Sequence, residues 1–179
     1  MNLQLIPPRG RCEIKLPRWA IPIVWTFLVL VILIVLPWTI SKLGHQYGWH
    51  QSVPSKWNLI GLIAVVIGLS TYIWCLVFHF KSYRESVRIG FSPPYLVVEG
   101  PYRYSRNPMY VSGLLVWCGW MIFYGNETVF IGLALLWSAF TFRVIPNEER
   151  QLETLFGDEY RAYKKSVGRW CGRIRNAAH

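Results

Sequence analysis

Three stretches without a single Asp, Glu, Lys or Arg constrain this chain more than any other feature. They lie between Arg18 and Lys42, between Lys56 and Lys81, and between Arg106 and Glu127. Each can house about 20 apolar residues, the number a helix needs to cross a bilayer core. The spacing predicts helices near Trp19–Ile40, Trp57–Phe80 and Pro108–Tyr124. A fourth gap, Thr128–Phe142, is shorter. It reaches a full span if Glu127 and Arg143 sit at the two interfaces, where a long arginine can snorkel. The first segment is too long for a cleavable signal peptide and lacks a small-residue cleavage site. The expected fold is all-α: a polytopic membrane protein with four transmembrane helices and a cytoplasmic carboxy-terminal amphipathic helix.

Charge sets the orientation. Basic residues gather before Arg18, again over Lys81–Arg106, and again after Arg143. The loops between hold only Lys42 and Lys56, then Glu127. The positive-inside rule places both termini and the middle loop in the cytoplasm, an integral, multi-pass arrangement. The turn Gly125–Glu127 is so short that the third and fourth helices form an antiparallel hairpin.

Composition agrees. The chain is 53% hydrophobic and 16% charged, against about 25% charged in soluble domains. Ten tryptophans and ten tyrosines suit the bilayer interfaces. The net charge of +10 is matched more simply by anionic membrane lipids than by nucleic acid. Cys12, Cys75, Cys118 and Cys171 form no CxxC pair, so neither a disulfide framework nor a zinc site is expected. His45 and His50 are five apart, which does not put them on one helix face, and no metal is expected there. Asn126-Glu-Thr128 matches a glycosylation acceptor, but it falls at a membrane surface between two helices and reads as chance.

Two polar clusters at the edges of apolar segments stand out. The first is Gly100-Pro-Tyr-Arg-Tyr-Ser-Arg-Asn-Pro-Met-Tyr110. Pro93-Pro94 stiffens its approach, Tyr95–Val98 reads as a short extended run, and Gly100-Pro101 turns the chain. Pro108 sits where a helix begins, at no hydrogen-bond cost. The third helix then presents N–H groups and a positive dipole end to a carboxylate or phosphate. Arg103 and Arg106 add charge, and Tyr102 and Tyr110 offer aromatic faces to a cation or a flat base. An ordinary interfacial anchor would use the same residue types.

The second cluster is Arg143-Val-Ile-Pro-Asn-Glu-Glu149. If Pro146 opens a new helix, Glu148 and Glu149 fill its first turn, where acids are favoured. Alternatively one of them binds an amine or ribose, or balances a sulfonium. Arg143 either pins an anionic group or snorkels. Beyond it, Leu152, Leu155, Phe156, Tyr160 and Tyr163 recur at helical spacing. The tail is therefore expected to be a helix that covers a cytoplasmic cavity, with a break at Gly157.

Together these residues resemble a known family. Gly-x-Tyr-x-x-x-Arg-Asn-Pro-x-Tyr, then a transmembrane hairpin, then Glu-Glu-x-x-Leu-x-x-x-Phe-Gly-x-Glu-Tyr-x-x-Tyr is similar to the integral-membrane methyltransferases. That superfamily includes the isoprenylcysteine carboxyl methyltransferases and the phospholipid methyltransferases. The resemblance runs from about Pro94 to Arg169. It divides the single domain 1–179 into two variable helices (1–90) and a cofactor-binding hairpin with its tail (91–179). It implies S-adenosylmethionine as cofactor, held by Tyr95, Leu96, Val97, Gly100, Tyr102, Arg106, Asn107, Pro108, Met109, Tyr110 and Glu148. It also implies Arg143 and Glu149 as catalytic residues, and a lipid-soluble or amphiphilic acceptor. Counting back from Phe156-Gly157, Arg143 falls one residue further out than the family pattern. Asn107 stands where the carboxyl methyltransferases have histidine, and an amide cannot serve as a base near neutral pH. Two other readings fit the polar clusters: a membrane sterol-type reductase using NADPH, and a non-enzymatic scaffold.

Overall fold

The computed structural model describes residues 27–83 and 96–172. Its elements are α1 (Phe27–Ile40), a two-stranded hairpin of β1 (Trp49–His50) and β2 (Val53–Pro54), α2 (Lys56–Tyr83), α3 (Pro108–Tyr124), α4 (Glu127–Ala139) and α5 (Ile145–Ser166). The predicted helices are found at the predicted places; only the end of the first, from Phe27, lies within the described residues. The small antiparallel β-hairpin in the outer loop, with Trp49 opposite Pro54, departs from an all-α expectation. α2 and the continuous helix Glu127–Ser166 are long and apolar enough to cross a membrane, whereas Phe27–Ile40 and Pro108–Tyr124 are shorter apolar helices.

The helices share one core, built from Leu33 of α1, Val65 of α2, Val116 and Trp117 of α3 and Val129 of α4. The tightest approach is α2 on α3. A Cβ on Gly61 would lie 2.4 Å from the Gly119 carbonyl oxygen, and one on Gly119 2.6 Å from that of Gly61. Small residues let two helix backbones meet this closely, the usual device between helices in lipid.

Two helices pass through a proline without ending. In α1 a π-helical turn, Val31–Val35, precedes Pro37. Proline has no N–H for the carbonyl four residues back. The Leu33 carbonyl instead accepts the Trp120 indole N–H at 2.8 Å, and its neighbour Ile32 accepts that of Trp117 at 3.1 Å. In the second case a π-helical turn, Phe140–Val144, joins α4 to α5 just ahead of Pro146. Pro146 therefore does not open a separate helix. The helix runs on from Glu127 as far as the bend at Gly157, about 45 Å at the α-helical rise, half as long again as a bilayer core is thick.

The outer turn is held by Asn126. Its side-chain oxygen accepts from the Thr128 and Val129 N–H groups, and its amide donates to the Ser41 and His45 carbonyls. The residue that matches a glycosylation acceptor is thus a buried helix cap. Among the described residues Cys75, Cys118 and Cys171 are free thiols; Cys12 lies outside them.

The tail bends at Gly157, whose φ of 50° and ψ of −119° are not helical. The bend lets Arg161 and Lys164 both reach Glu153, at 3.1 and 3.3 Å. On a straight helix Glu153 and Lys164 would stand about 16 Å apart along the axis. Both cations, led by Arg161, hold the Glu153 carboxyl below its ordinary range. Gly157→Ala is expected to destabilise the protein by about 1–3 kcal/mol, the cost of an L-residue in such a conformation. Thermal unfolding of the variant checks this; an unchanged midpoint would show that the tail straightens freely.

Candidate functional site

The site forms where the loop Gly100–Asn107, the start of α3 and the start of α5 meet under the end of the tail. Gly100 has φ of +59°, and an added Cβ would strike the Phe78 ring of α2 at 2.6 Å. Only glycine fits both the turn and that contact, so α2 fixes where the loop begins. A short 3₁₀ turn, Gly100–Arg103, follows. The Tyr102 carbonyl accepts the Tyr163 hydroxyl at 2.7 Å. Burial, then the neighbouring Tyr102 and Tyr160 phenols, push the Tyr163 hydroxyl above its ordinary range, so it stays a donor at neutral pH.

Asn107 precedes α3 but does not cap it with its side chain. Its side-chain N–H donates to the Arg169 carbonyl at 3.1 Å, and its backbone N–H to Ser105 Oγ at 3.0 Å. Ser105, buried, donates in turn to the same Arg169 carbonyl. The positive end of α3 thus keeps its place beside the loop without a side-chain cap. Pro108 is buried, and Met109 and Tyr110 are half-buried.

Tyr110 joins the two polar clusters. Its hydroxyl donates to Glu148 Oε1 at 2.6 Å, and its ring packs on Phe140 of the π-helical turn with centroids 4.6 Å apart. The phenols of Tyr102 and Tyr72 lie within electrostatic reach of it. The amino-terminal amides of α3 suit an anion, Glu148 suits hydroxyl donors or a cation, and the tyrosine faces suit a sulfonium. That donor set fits a zwitterionic nucleoside such as S-adenosylmethionine.

The other predicted residues are placed as follows. Leu96 is buried against Tyr160, Tyr163 and Val167 beneath the tail. Val97 is half-buried, and Tyr95 lies outside the described residues. Glu149 is buried, next to an exposed Glu148, because neighbours on a helix point about 100° apart. Glu149 does not face the same partners as Glu148: it pairs with Arg106 at 2.8 Å and with Arg169 at 2.8 Å. Arg143 is exposed, with no ion pair among the described residues. The π-helical turn that contains it takes up one more residue than an α turn; Ile145 N–H reaches five residues back to Phe140. Such turns recur at functional sites.

Three residues of the site escaped sequence reasoning. Ser105, through its hydroxyl, and Arg169, through its carbonyl and guanidinium, reach the site only because the fold brings them there. Tyr72 sits on α2, a helix that showed no pattern beyond its apolarity.

Comparison with known proteins places the chain in a family. An uncharacterized protein from Haemophilus influenzae is 40% identical over 62 residues, 35% of this chain and 98% of that one. A probable protein-S-isoprenylcysteine O-methyltransferase from Oryza sativa subsp. indica is 34% identical over 113 residues, 62% of this chain and 58% of its own length. The protein-S-isoprenylcysteine O-methyltransferase of Schizosaccharomyces pombe is 41% identical over 75 residues, 40% of this chain and 30% of its own. The chain therefore spans little more than half of the rice relative and less of the yeast one. The profile of the phospholipid methyltransferase family matches residues 57–159. It begins at α2, so the family pattern reaches further toward the amino terminus than the expected limit near Pro94. More than half the chain lies inside that match, and the chain belongs to the phospholipid methyltransferase family.

Proposed function

We propose that this protein is a multi-pass membrane methyltransferase that takes its methyl group from S-adenosylmethionine and passes it to an apolar or amphiphilic acceptor at the cytoplasmic face. The observation that carries the reading is the 2.6 Å bond from Tyr110 to Glu148, which brings both polar clusters to one place. Four spans with both termini in the cytoplasm follow from the charge distribution. The half-rod beyond Arg143 then leaves the bilayer and folds over the inner mouths of α3 and α4, within a single domain.

When bound, the cofactor supplies a methyl group already activated on a sulfonium. The chain's own task is to align donor and acceptor and to exclude water. The amino end of α3, from Asn107 to Tyr110, would hold the donor's carboxylate. Glu148 would take hydroxyl groups, Tyr102 and Tyr110 would face the cation, and the backbone at 96–97 would line the loop side. Arg143, beside the exposed Phe142, faces an acceptor with an apolar body and an anionic head.

Among the described residues the candidate bases are committed: Glu148 accepts from Tyr110 and is assigned to the donor's hydroxyl groups in this reading. Asn107 is an amide, and Glu149 is engaged by two guanidiniums. A carboxylate or thiolate acceptor needs no base, whereas an ammonium must lose a proton first. We therefore favour a carboxylate of the isoprenylcysteine type, the acceptor class in the names of the rice and yeast relatives, over a phospholipid amine. Calorimetry of the full chain in detergent should show binding of adenosylhomocysteine and none of NADPH. The reverse result would give the protein to the sterol-type reductases, and binding of neither would leave a scaffold. Labelled methyl donor offered with a farnesylcysteine analogue and with phosphatidylethanolamine should mark the first.

A further inference from the structure

Glu149 is the hub of a cluster that the methyl-transfer reading does not use. It is a carboxylate with 8% of its side chain exposed, held between Arg106, 11% exposed, and Arg169, 34% exposed. Arg169 grips both oxygens, with Nη2 at 2.8 Å from Oε2 and Nε at 3.2 Å from Oε1. This is the two-point geometry that makes arginine–carboxylate pairs strong and directional. Arg106 lies 2.8 Å from Oε1, but its Nη1 and Nε make no aligned hydrogen bond; that contact is an ion pair by proximity. It also lies within reach of the buried Tyr160 and of Tyr163.

The three side chains come from three places: the loop, the start of α5, and the segment beyond the end of α5. That last segment, Val167–Gly172, lies along the loop as a strap. The Arg106 N–H donates to the Gly168 carbonyl at 3.0 Å, and the Gly172 N–H to the Tyr104 carbonyl at 2.9 Å. The Arg169 carbonyl accepts from both Ser105 and Asn107. Every one of these bonds joins the strap to the residues just before α3. The Val167 N–H holds the strap's first residue to the Tyr163 carbonyl at the end of α5, and the Arg169 side chain ties the strap to Glu149 at its start.

We propose that Arg169 is a positioning residue. Through Glu149 and Arg106 it latches the strap Val167–Gly172 over the loop and so holds Asn107 and the amino end of α3 in the arrangement that receives the methyl donor. On this view Glu149 is the keeper of the latch rather than a group that touches the reacting atoms. The value of the latch for binding rests on the function proposed above; its mechanical part does not.

Arg169→Gln is the clean variant, because it leaves the buried Arg106–Glu149 pair intact. Glu149→Gln leaves two guanidiniums facing each other with no carboxylate between them. Two measurements on the full chain in detergent test the proposal. In the first, amide hydrogen exchange at Arg106, Gly168 and Gly172 should speed up about tenfold or more in Arg169→Gln, the mark of local opening, while amides in the middle of α2 stay unchanged. Uniform acceleration, or none at the strap, overturns the latch. In the second, adenosylhomocysteine affinity should fall about five- to twentyfold in Arg169→Gln with little change in melting temperature. The double variant with Glu149→Gln should bind no more weakly than Glu149→Gln alone, since both remove one coupled unit. Independent losses that multiply, or wild-type affinity in Arg169→Gln, overturn the positioning role. Failure of the wild-type protein to bind adenosylhomocysteine sinks the proposed function instead, and the exchange measurement still decides the latch.

Discussion

Glu148→Ala is expected to weaken adenosylhomocysteine binding by about 10- to 100-fold. Hydrogen bonds to a charged partner are worth about 1.5–3 kcal/mol, and each 1.4 kcal/mol is tenfold. Glu148 spends Oε1 on the Tyr110 hydroxyl, and in the proposed site Oε2 would take a ligand hydroxyl. The alanine variant loses both, and it leaves the Tyr110 phenol without its acceptor. Tyr110→Phe separates the two contributions. It keeps the carboxylate and removes only the internal bond, so its loss should be a few-fold. Equal losses in the two variants would show that Glu148 acts only by orienting Tyr110. Tyr102→Ala and Asn107→Ala should each cost affinity as well; wild-type affinity in these and in Glu148→Ala would end the case for this site.

A large structural effect is expected at Gly61. An alanine Cβ there would lie 2.4 Å from the Gly119 carbonyl oxygen and 2.5 Å from the Phe123 nitrogen. Both obstacles are backbone of α3, so no side chain can swing aside. The helices must part, and overpacking of this kind costs about 1–3 kcal/mol. For a chain of this size that lowers the melting temperature by about 2–12 °C. Because the amino end of α3 forms the site, adenosylhomocysteine affinity should fall as well. Gly113→Ala is the control on the same helix. Its Cβ would meet only Leu33 Cδ2, at an ordinary 3.6 Å, and helix propensity favours alanine by about 1 kcal/mol. Gly61→Ala should therefore destabilise while Gly113→Ala does not; the same response in both would show that the α2–α3 approach is not tight in the working protein.

The helices and the loop were legible because their signals are local. Lys56 and Lys81 bracket α2, and Pro108 and Gly125 bracket α3, so charge and backbone chemistry marked the boundaries without reference to any partner. The bend at Gly157 was legible for the same reason. Tyr102, Asn107 and Glu148 stood out as polar groups at the edges of apolar stretches. Pro146 misled, since proline is a local signal for a helix start, and here a π-helical turn absorbs it inside a continuous rod.

What the sequence determined by itself was where the chain is helical, which residues lie at the helix mouths, and that Glu148 and Glu149 point in different directions once a helix is granted. Only the tertiary structure decided what those residues meet. It gave Glu149 to Arg169, twenty residues on and past a bend, Tyr110 to Glu148, and Gly61 to Gly119. Periodicity describes the faces of one helix, whereas the choice of facing partner depends on how closely two backbones can approach, and that is settled by packing in three dimensions.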